Sequence, residues 1–309
     1  MKTIRTKALI DQHLHGAYGV DFLGCSADDL IYCAERLKQD GVTMFLPTLA
    51  TAPAEILKRQ INVIKTAMNK KHAGAKIYGA NLEACFISPE KRGIHEVSQL
   101  LAPTVENFKL FEDECIKIVT IAPELDKNNE LASYLHSKGI KVFAGHTAAH
   151  DLSEADGVTH LYNAMAGIKH REKNTVTSAL LDDSVFCEII ADGFHVDYDN
   201  VKLVYKTKPA DKIILISDAL PIAGSDKIEM EFCSKKIYLK DGMATDANGV
   251  LAGSSMLLPQ IVKKLVKNSI LDLETAVKSA SNSAKLFNVE FNDEIIWGEN
   301  LDIIEVLQK

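Results

Sequence analysis

Ala8-Leu9-Ile10-Asp11-Gln12-His13-Leu14-His15-Gly16 is the stretch on which the reading of this chain turns. It begins as an apolar run and ends in two histidines one residue apart. On a strand, successive side chains point to opposite faces, so His13 and His15 share a face while Leu14 turns into packing. Two imidazoles side by side make half of a site for a transition metal. Taken alone, the pair reads better as an exposed strand end. The positions of the other histidines and carboxylates decide between the two.

Short apolar runs recur along the chain: Ala8–His15, Val42–Thr48, Ile77–Glu83, Lys117–Pro123, Lys141–Thr147, Val158–Ala164, Val185–Gly193 and Lys212–Ala219. Continuous apolar runs suit strands of a parallel sheet covered on both faces. Helical patterns lie between them. Ser26 followed by Asp29 predicts a capped helix to about Gln39, and Pro53 opens another through Lys70. Shorter helices are expected over Thr104–Cys115, Lys127–Ser137, Ser153–Asp156, Glu172–Asp182 and Asp197–Lys206. Eight strands alternating with helices or loops predict an α/β protein of the (β/α)8 TIM-barrel type. A doubly wound open sheet is the alternative, but no glycine-rich phosphate loop follows the first strand. A barrel should gather functional side chains at the C-terminal ends of its strands. His13 and His15 end the first, Glu83 the third, His146 the fifth and His160 the sixth, while His195 follows the seventh and Asp218 closes the eighth.

Beyond Asp218 the pattern changes. Lys236–Lys240, Asp241-Gly242 and Met243–Thr245 read as a hairpin around an Asp-Gly turn. Helices are expected over Met256–Asn268 and Leu273–Phe287, then two strands on either side of Gly298. The expected division is a barrel of residues 8–225 and 254–290, with a small, reduced β appendage from 1–7, 226–253 and 291–309. The 309 residues suffice for this, and 47% hydrophobic with 25% charged residues is ordinary for a soluble globular protein. A net charge of −7 argues against nucleic-acid or anionic-membrane binding. Six cysteines without CxxC spacing suit reduced thiols, and no signal peptide or membrane span is recognisable, so a cytoplasmic location is expected.

His13, His15, Glu83, His146, His160 and Asp218 together form a sulfur-free set of nitrogen and oxygen ligands. Such a set suits a divalent transition metal (Zn, Fe, Mn or Co) with a position left open for water. A bound ion of that kind lowers the pKa of water and polarises a carbonyl, and a nearby aspartate can carry the proton to a leaving amine. Hydrolysis of an amide is the natural chemistry. Singly, His146 and His160 read as satisfied core histidines, and Glu83 as one half of a salt bridge; their shared phase favours ligation.

Specific segments carry a resemblance. Leu9–Ala17, Gly41–Thr48, Asn81–Ser88, Lys91–His95, Ile121–Glu124, Gly145–Thr147, Thr159-His-Leu-Tyr-Asn-Ala-Met165, Ala191-Asp-Gly-Phe-His-Val-Asp197, Ser217–Ala219 and Leu251–Ser255 are similar, in order, to the N-acetylglucosamine-6-phosphate deacetylase family of the amidohydrolase superfamily. The resemblance implies Glu83, His146 and His160 as metal ligands and His13 and His15 as the pair that holds a second ion in some members, hence one or two ions per subunit. It implies Asp218 as the catalytic acid and base, with His95 near the scissile carbonyl. Asn163, Ala164, Arg171 and His195 would hold phosphate and sugar, Arg171 from the partner of a homodimer, and Leu251, Ala252 and Gly253 would line the substrate. Arg171 also reads as part of the solvated charge run Lys169–Lys173. The implied reaction removes acetate from an amino-sugar phosphate.

The chain departs from the family in three places. Asn81-Leu82-Glu83-Ala84-Cys85 replaces His-Leu-Glu-Gly-Pro, which makes Cys85 either an extra ligand or a small buried side chain. Lys173-Asn174 stands where Pro-Gly is usual, and most of the first β segment is missing. These departures leave the preferred substrate open to N-acetylgalactosamine 6-phosphate or another acyl-amine. An inactive amidohydrolase-like scaffold is the remaining alternative, and it would require degraded ligands.

Overall fold

The computed structural model describes residues 3–309. Eight parallel strands follow one another around a barrel: β1 Leu9–Leu14, β2 Val42–Ala50, β3 Ala80–Glu83, β4 Ile116–Ile121, β5 Lys141–Ala144, β6 Gly157–Val158, β7 Phe186–Ile189 and β8 Ile213–Leu215. Each pairs with its neighbour in sequence. The ring closes just beyond β8, where Ala219 bridges Leu14 in parallel and Asp218 N–H donates to the His13 carbonyl at 2.9 Å. This is the (β/α)8 architecture that the eight apolar runs predict.

The outer helices form where capping and periodicity agree. In Ala27–Gln39, Ser26 Oγ accepts from Asp29 N–H while Asp29 Oδ2 accepts from Ser26 N–H, a reciprocal capping box. Leu30, Cys33, Ala34 and Leu37 then recur on one face and are buried. Pro53 sits one position before the first turn of Ala54–Asn69, as its N-cap. Asp197 caps Tyr198–Thr207, with its side chain accepting from Asp199 N–H.

Several expected boundaries shift, each for a local reason. The run Ile77–Glu83 breaks at Gly79, where a Cβ would lie 2.4 Å from the Cys115 carbonyl oxygen. Of the run Val158–Ala164 only Val158 is strand, as the second residue of β6, because His160, Tyr162 and Ala164 take positive φ angles. No helix forms over Ser153–Asp156; Asp151 Oδ1 accepts from Ser153 N–H and fixes a turn instead. Over Thr104–Cys115 only Val105–Phe108 is helical. Left-handed Asn128 and Asn129 delay the next helix to Glu130–Ser137. Asn174 caps a helix that starts only at Thr175 and runs to Leu181. The run Leu273–Phe287 divides into Leu273–Ser279 and Ser283–Leu286.

Besides the short two-stranded pair of Gly16–Ala17 and Val20–Asp21, two small sheets flank the barrel. One has four antiparallel strands, Glu229–Phe232, Lys235–Lys240, Met243–Asp246 and Leu251–Ser254, and Ser254 bridges Ala219 beside the C-terminal mouth. The other joins Ile4–Lys7, Glu294–Trp297 and Ile303–Leu307. Residues 1–2 of the expected appendage lie outside the described residues. No helix among the described residues is long and apolar enough to cross a membrane.

Candidate active site

The mouth of the barrel collects the acids and imidazoles that the sequence distributes over 205 positions, from His13 to Asp218. Glu83, the last residue of β3, is the hub. Its Oε1 lies 2.6 Å from His160 Nε2, 3.1 Å from His146 Nε2 and 3.5 Å from His13 Nε2. Its Oε2 lies 3.0 Å from His15 Nε2 and 3.6 Å from His95 Nε2. Asp218 Oδ1 stands 3.4 Å from His13 Nε2 and 3.3 Å from His15 Nε2. All of these side chains are buried.

Local backbone explains how they converge. His146, His160 and Asp218 each sit just past a strand at positive φ (47°, 30° and 51°), a conformation that costs a non-glycine residue about 1–3 kcal/mol. The bend turns each side chain back over the barrel axis. Before His146, a Cβ at Gly145 would lie 2.6 Å from Thr159 Cβ, so β5 and β6 can approach this closely only with glycine there.

The donor set fits a divalent cation. His146 and His160 aim their Nε2 atoms at each other across 3.0 Å while both face Glu83. His13 Nε2 and Asp218 Oδ1 are buried and without a hydrogen-bond partner. Two buried carboxylates with converging imidazole nitrogens demand positive charge at the centre. The pKa values point the same way. Burial resists charge on His13, yet Glu83 and Glu188 outweigh it and raise the pKa well above the usual imidazole value. For Glu83, burial favours the neutral acid, but the surrounding imidazoles hold the carboxyl well below its ordinary range. Cys85 stays outside the cluster as a small buried side chain of the main core, its thiol pushed up to about 12 by burial.

Outer partners orient these groups. His146 Nδ1 meets the Lys91 carbonyl at 2.8 Å, which directs Nε2 to the centre. Glu188 on β7 holds His13 Nδ1 at 3.1 Å through Oε2, and its Oε1 accepts from Gln12 Nε2 at 2.6 Å. Replacing Glu188 by Gln should weaken metal affinity by about 10–100-fold, measured by competition with a chelator, because the His13 ring loses its anionic anchor. Unchanged affinity would contradict this role. His95 is pushed down to about 4, chiefly by burial and then by the charge of His146, so its ring is neutral. Thr51 holds the ring at Nδ1, with its backbone N–H at 3.3 Å and its Oγ1 at 2.8 Å, which turns His95 Nε2 toward Glu83.

Above the cluster opens a cavity of ≈230 Å³. Its walls include Asn163, Ala164, His195 and the segment Leu251, Ala252 and Gly253. Asp192 Oδ2 lies 2.8 Å from His195 Nδ1 and accepts from Ser254 Oγ at 3.0 Å. Burial opposes charge on His195, but Asp192 prevails and raises its pKa. Arg171 is exposed and does not line this cavity. Sequence reasoning assigned no role to Glu188, Asp192 or Thr51. For Glu188 a signal existed: a carboxylate inside the apolar run Val185–Ile190 must be paired once buried.

Known proteins resemble the chain throughout. Residues 6–292 match the sequence profile of the amidohydrolase family. An N-acetylglucosamine-6-phosphate deacetylase of Bacillus subtilis is 35% identical over 315 residues, covering 96% of this chain and 79% of that protein. An N-acetylgalactosamine-6-phosphate deacetylase of Escherichia coli O157:H7 is 29% identical, covering 92% of this chain and 78% of that one. The crystal structure of N-acetylglucosamine-6-phosphate deacetylase from Pasteurella multocida superposes with a TM-score of 0.89 at 28% identity, covering 98% of this chain and 84% of that chain.

Proposed function

Because the chain belongs to the amidohydrolase family, matched over residues 6–292, we propose that it hydrolyses the N-acetyl amide of N-acetylglucosamine 6-phosphate to glucosamine 6-phosphate and acetate. The observation that carries this reading is the convergence of Glu83, His146, His160, His13, His15 and Asp218 on one buried centre below an open cavity. An inactive scaffold is disfavoured, since every ligand position is filled.

Glu83, His146 and His160 hold the divalent ion, and His13 and His15 provide for a second. When bound, the ion supplies a water of lowered pKa and polarises the amide carbonyl. His95, its ring neutral, donates from Nε2 to the carbonyl oxygen as negative charge develops there. Asp218 takes a proton from the attacking water and returns it to the departing amine. His195, charged beside Asp192, presents its free Nε2–H to a phosphate oxygen. Asn163 and Ala164 complete the phosphate and sugar contacts, and Leu251, Ala252 and Gly253 form the opposite wall. Arg171 reaches the phosphate of the partner site in a homodimer. Six free thiols suit the reducing cytoplasm.

The relative that acts on N-acetylgalactosamine 6-phosphate makes the C4 epimer a second candidate substrate. Acetate release from N-acetylglucosamine 6-phosphate, N-acetylgalactosamine 6-phosphate and unphosphorylated N-acetylglucosamine tests both readings. The glucosamine phosphate should be preferred over its epimer. The unphosphorylated sugar should lose at least ~100-fold in kcat/KM, the cost of leaving a charged hydrogen-bonding site unpaired. Equal turnover with and without phosphate would overturn the assignment.

A further inference from the structure

The proposed reaction puts the sugar phosphate beside His195 and Asn163 and leaves the acyl group for the other end of the cavity. One aromatic side chain walls that end. Phe232, last residue of the strand Glu229–Phe232, is only 2% exposed, and its ring centroid lies 5.2 Å from that of His15 with the planes at 60°. It packs in an apolar cluster with Ala50, Ile94, Leu220 and Ala252. Phe232, Ile94 and Ala252 all face the cavity, giving an apolar patch next to the ligands His15 and Glu83.

Phe232 also lines a second cavity, of ≈330 Å³, whose walls include Leu23, Thr51, Ala52, Pro53 and Ile56. The two spaces have a common wall. Part of it is the Thr51–His95 pair, with Thr51 on the outer cavity, His95 on the inner one and 2.8 Å between Oγ1 and Nδ1. Phe232, which lines both spaces, is another part. The turn that follows Phe232 fixes its backbone: Cys233 and Ser234 both take positive φ (49° and 59°) and Phe232 pairs with Lys235.

We propose that Phe232 determines acyl-chain length: with Ile94 and Ala252 it receives the methyl of the N-acetyl group, and its ring bars longer chains from the second cavity. This rests on the hydrolase reading above. The apolar walls Leu23, Ala52, Pro53 and Ile56 suit a neutral alkyl chain once the ring is removed. Asp21, Glu96 and Glu231 also line that space and disfavour a carboxylated one.

The test is kcat/KM of the metal-loaded enzyme for the N-acetyl, N-propionyl and N-butyryl amides of glucosamine 6-phosphate, with Phe232→Ala and Phe232→Leu beside the parent and metal content measured for each. A misfit of one methylene shifts kcat/KM by about 10–200-fold, so the parent should fall at least ~10-fold from acetyl to butyryl. Phe232→Ala should raise the butyryl-to-acetyl ratio at least ~10-fold with metal retained. Phe232→Leu should move it less, in the same direction, and carries the test if the alanine variant does not fold. A purely structural role lowers all three amides together, so a ratio unmoved in a folded, metal-loaded variant overturns the proposal. A parent that cleaves butyryl as fast as acetyl overturns it too. Deacetylation by the parent with an unmoved ratio removes this inference alone, whereas a parent inactive on every N-acyl sugar phosphate removes the hydrolase reading with it.

Discussion

Asp218→Asn should lower kcat by about 10²–10⁴-fold while leaving metal content at the level of the parent. The substitution keeps shape and burial but removes the basic oxygen. Oδ1 stands 3.4 Å from His13 Nε2 and 3.3 Å from His15 Nε2, at the face of the cluster that borders the cavity, and is buried without a hydrogen-bond partner. An oxygen so placed is free to take a proton from water and give it up again. The carboxyl is suited to start as a base. Burial pushes its pKa up, yet the close His15 imidazole and the charge of His13 bring it below the ordinary aspartate value. The amide of asparagine can keep a contact to the imidazoles or the ion but cannot carry the proton. Metal analysis beside steady-state kinetics checks both halves. Substantial residual turnover would remove Asp218 from the chemistry, and loss of metal would make it a ligand first.

Glu83→Gln should abolish both metal retention and turnover. Glu83 is the residue at which five imidazoles meet, those of His13, His15, His95, His146 and His160, all within 3.6 Å of its two oxygens. Removing its charge leaves Asp218 as the one carboxylate bordering the centre, with Glu188 behind His13. Affinity should fall by more than the ~10–100-fold typical of losing an outer partner such as Glu188. The amide also cannot match the acceptor pattern of the carboxylate toward His160 and His15 at 2.6 and 3.0 Å, which leaves buried polar atoms unpaired. Metal content after dialysis and acetate release should fall together. A Glu83→Gln variant that keeps its ion and its activity would place the binding centre elsewhere.

The barrel and the convergence of the inner acids and imidazoles were legible because both obey short-range rules. His13 and His15 share a face by strand alternation, and Glu83, His146, His160 and Asp218 all stand at or just past the C-terminal end of an apolar run. The strand lengths were less legible. β6 stops after Val158 because His160 bends out of the β region, a choice made by tertiary contacts and not by propensity. The outer partners were the least visible. Glu188 meets His13 from 175 residues away, and Thr51 meets His95 from 44, so neither pairing leaves a spacing to read. Phe232 was hidden for another reason: an aromatic residue in a half-exposed hairpin looks like any other until its neighbours show that it lines two cavities. Arg171 lies exposed and away from the cavity, so the chain's own geometry assigns it no contact there.

Anomalous diffraction across transition-metal absorption edges, on crystals of protein purified without chelator, is the most direct test of the account. A peak at ~2.0–2.2 Å from His146 Nε2, His160 Nε2 and a Glu83 oxygen is the expected result, the distance typical of nitrogen and oxygen ligands to zinc. A map with no peak among those three residues, from protein that nonetheless releases acetate, would contradict it.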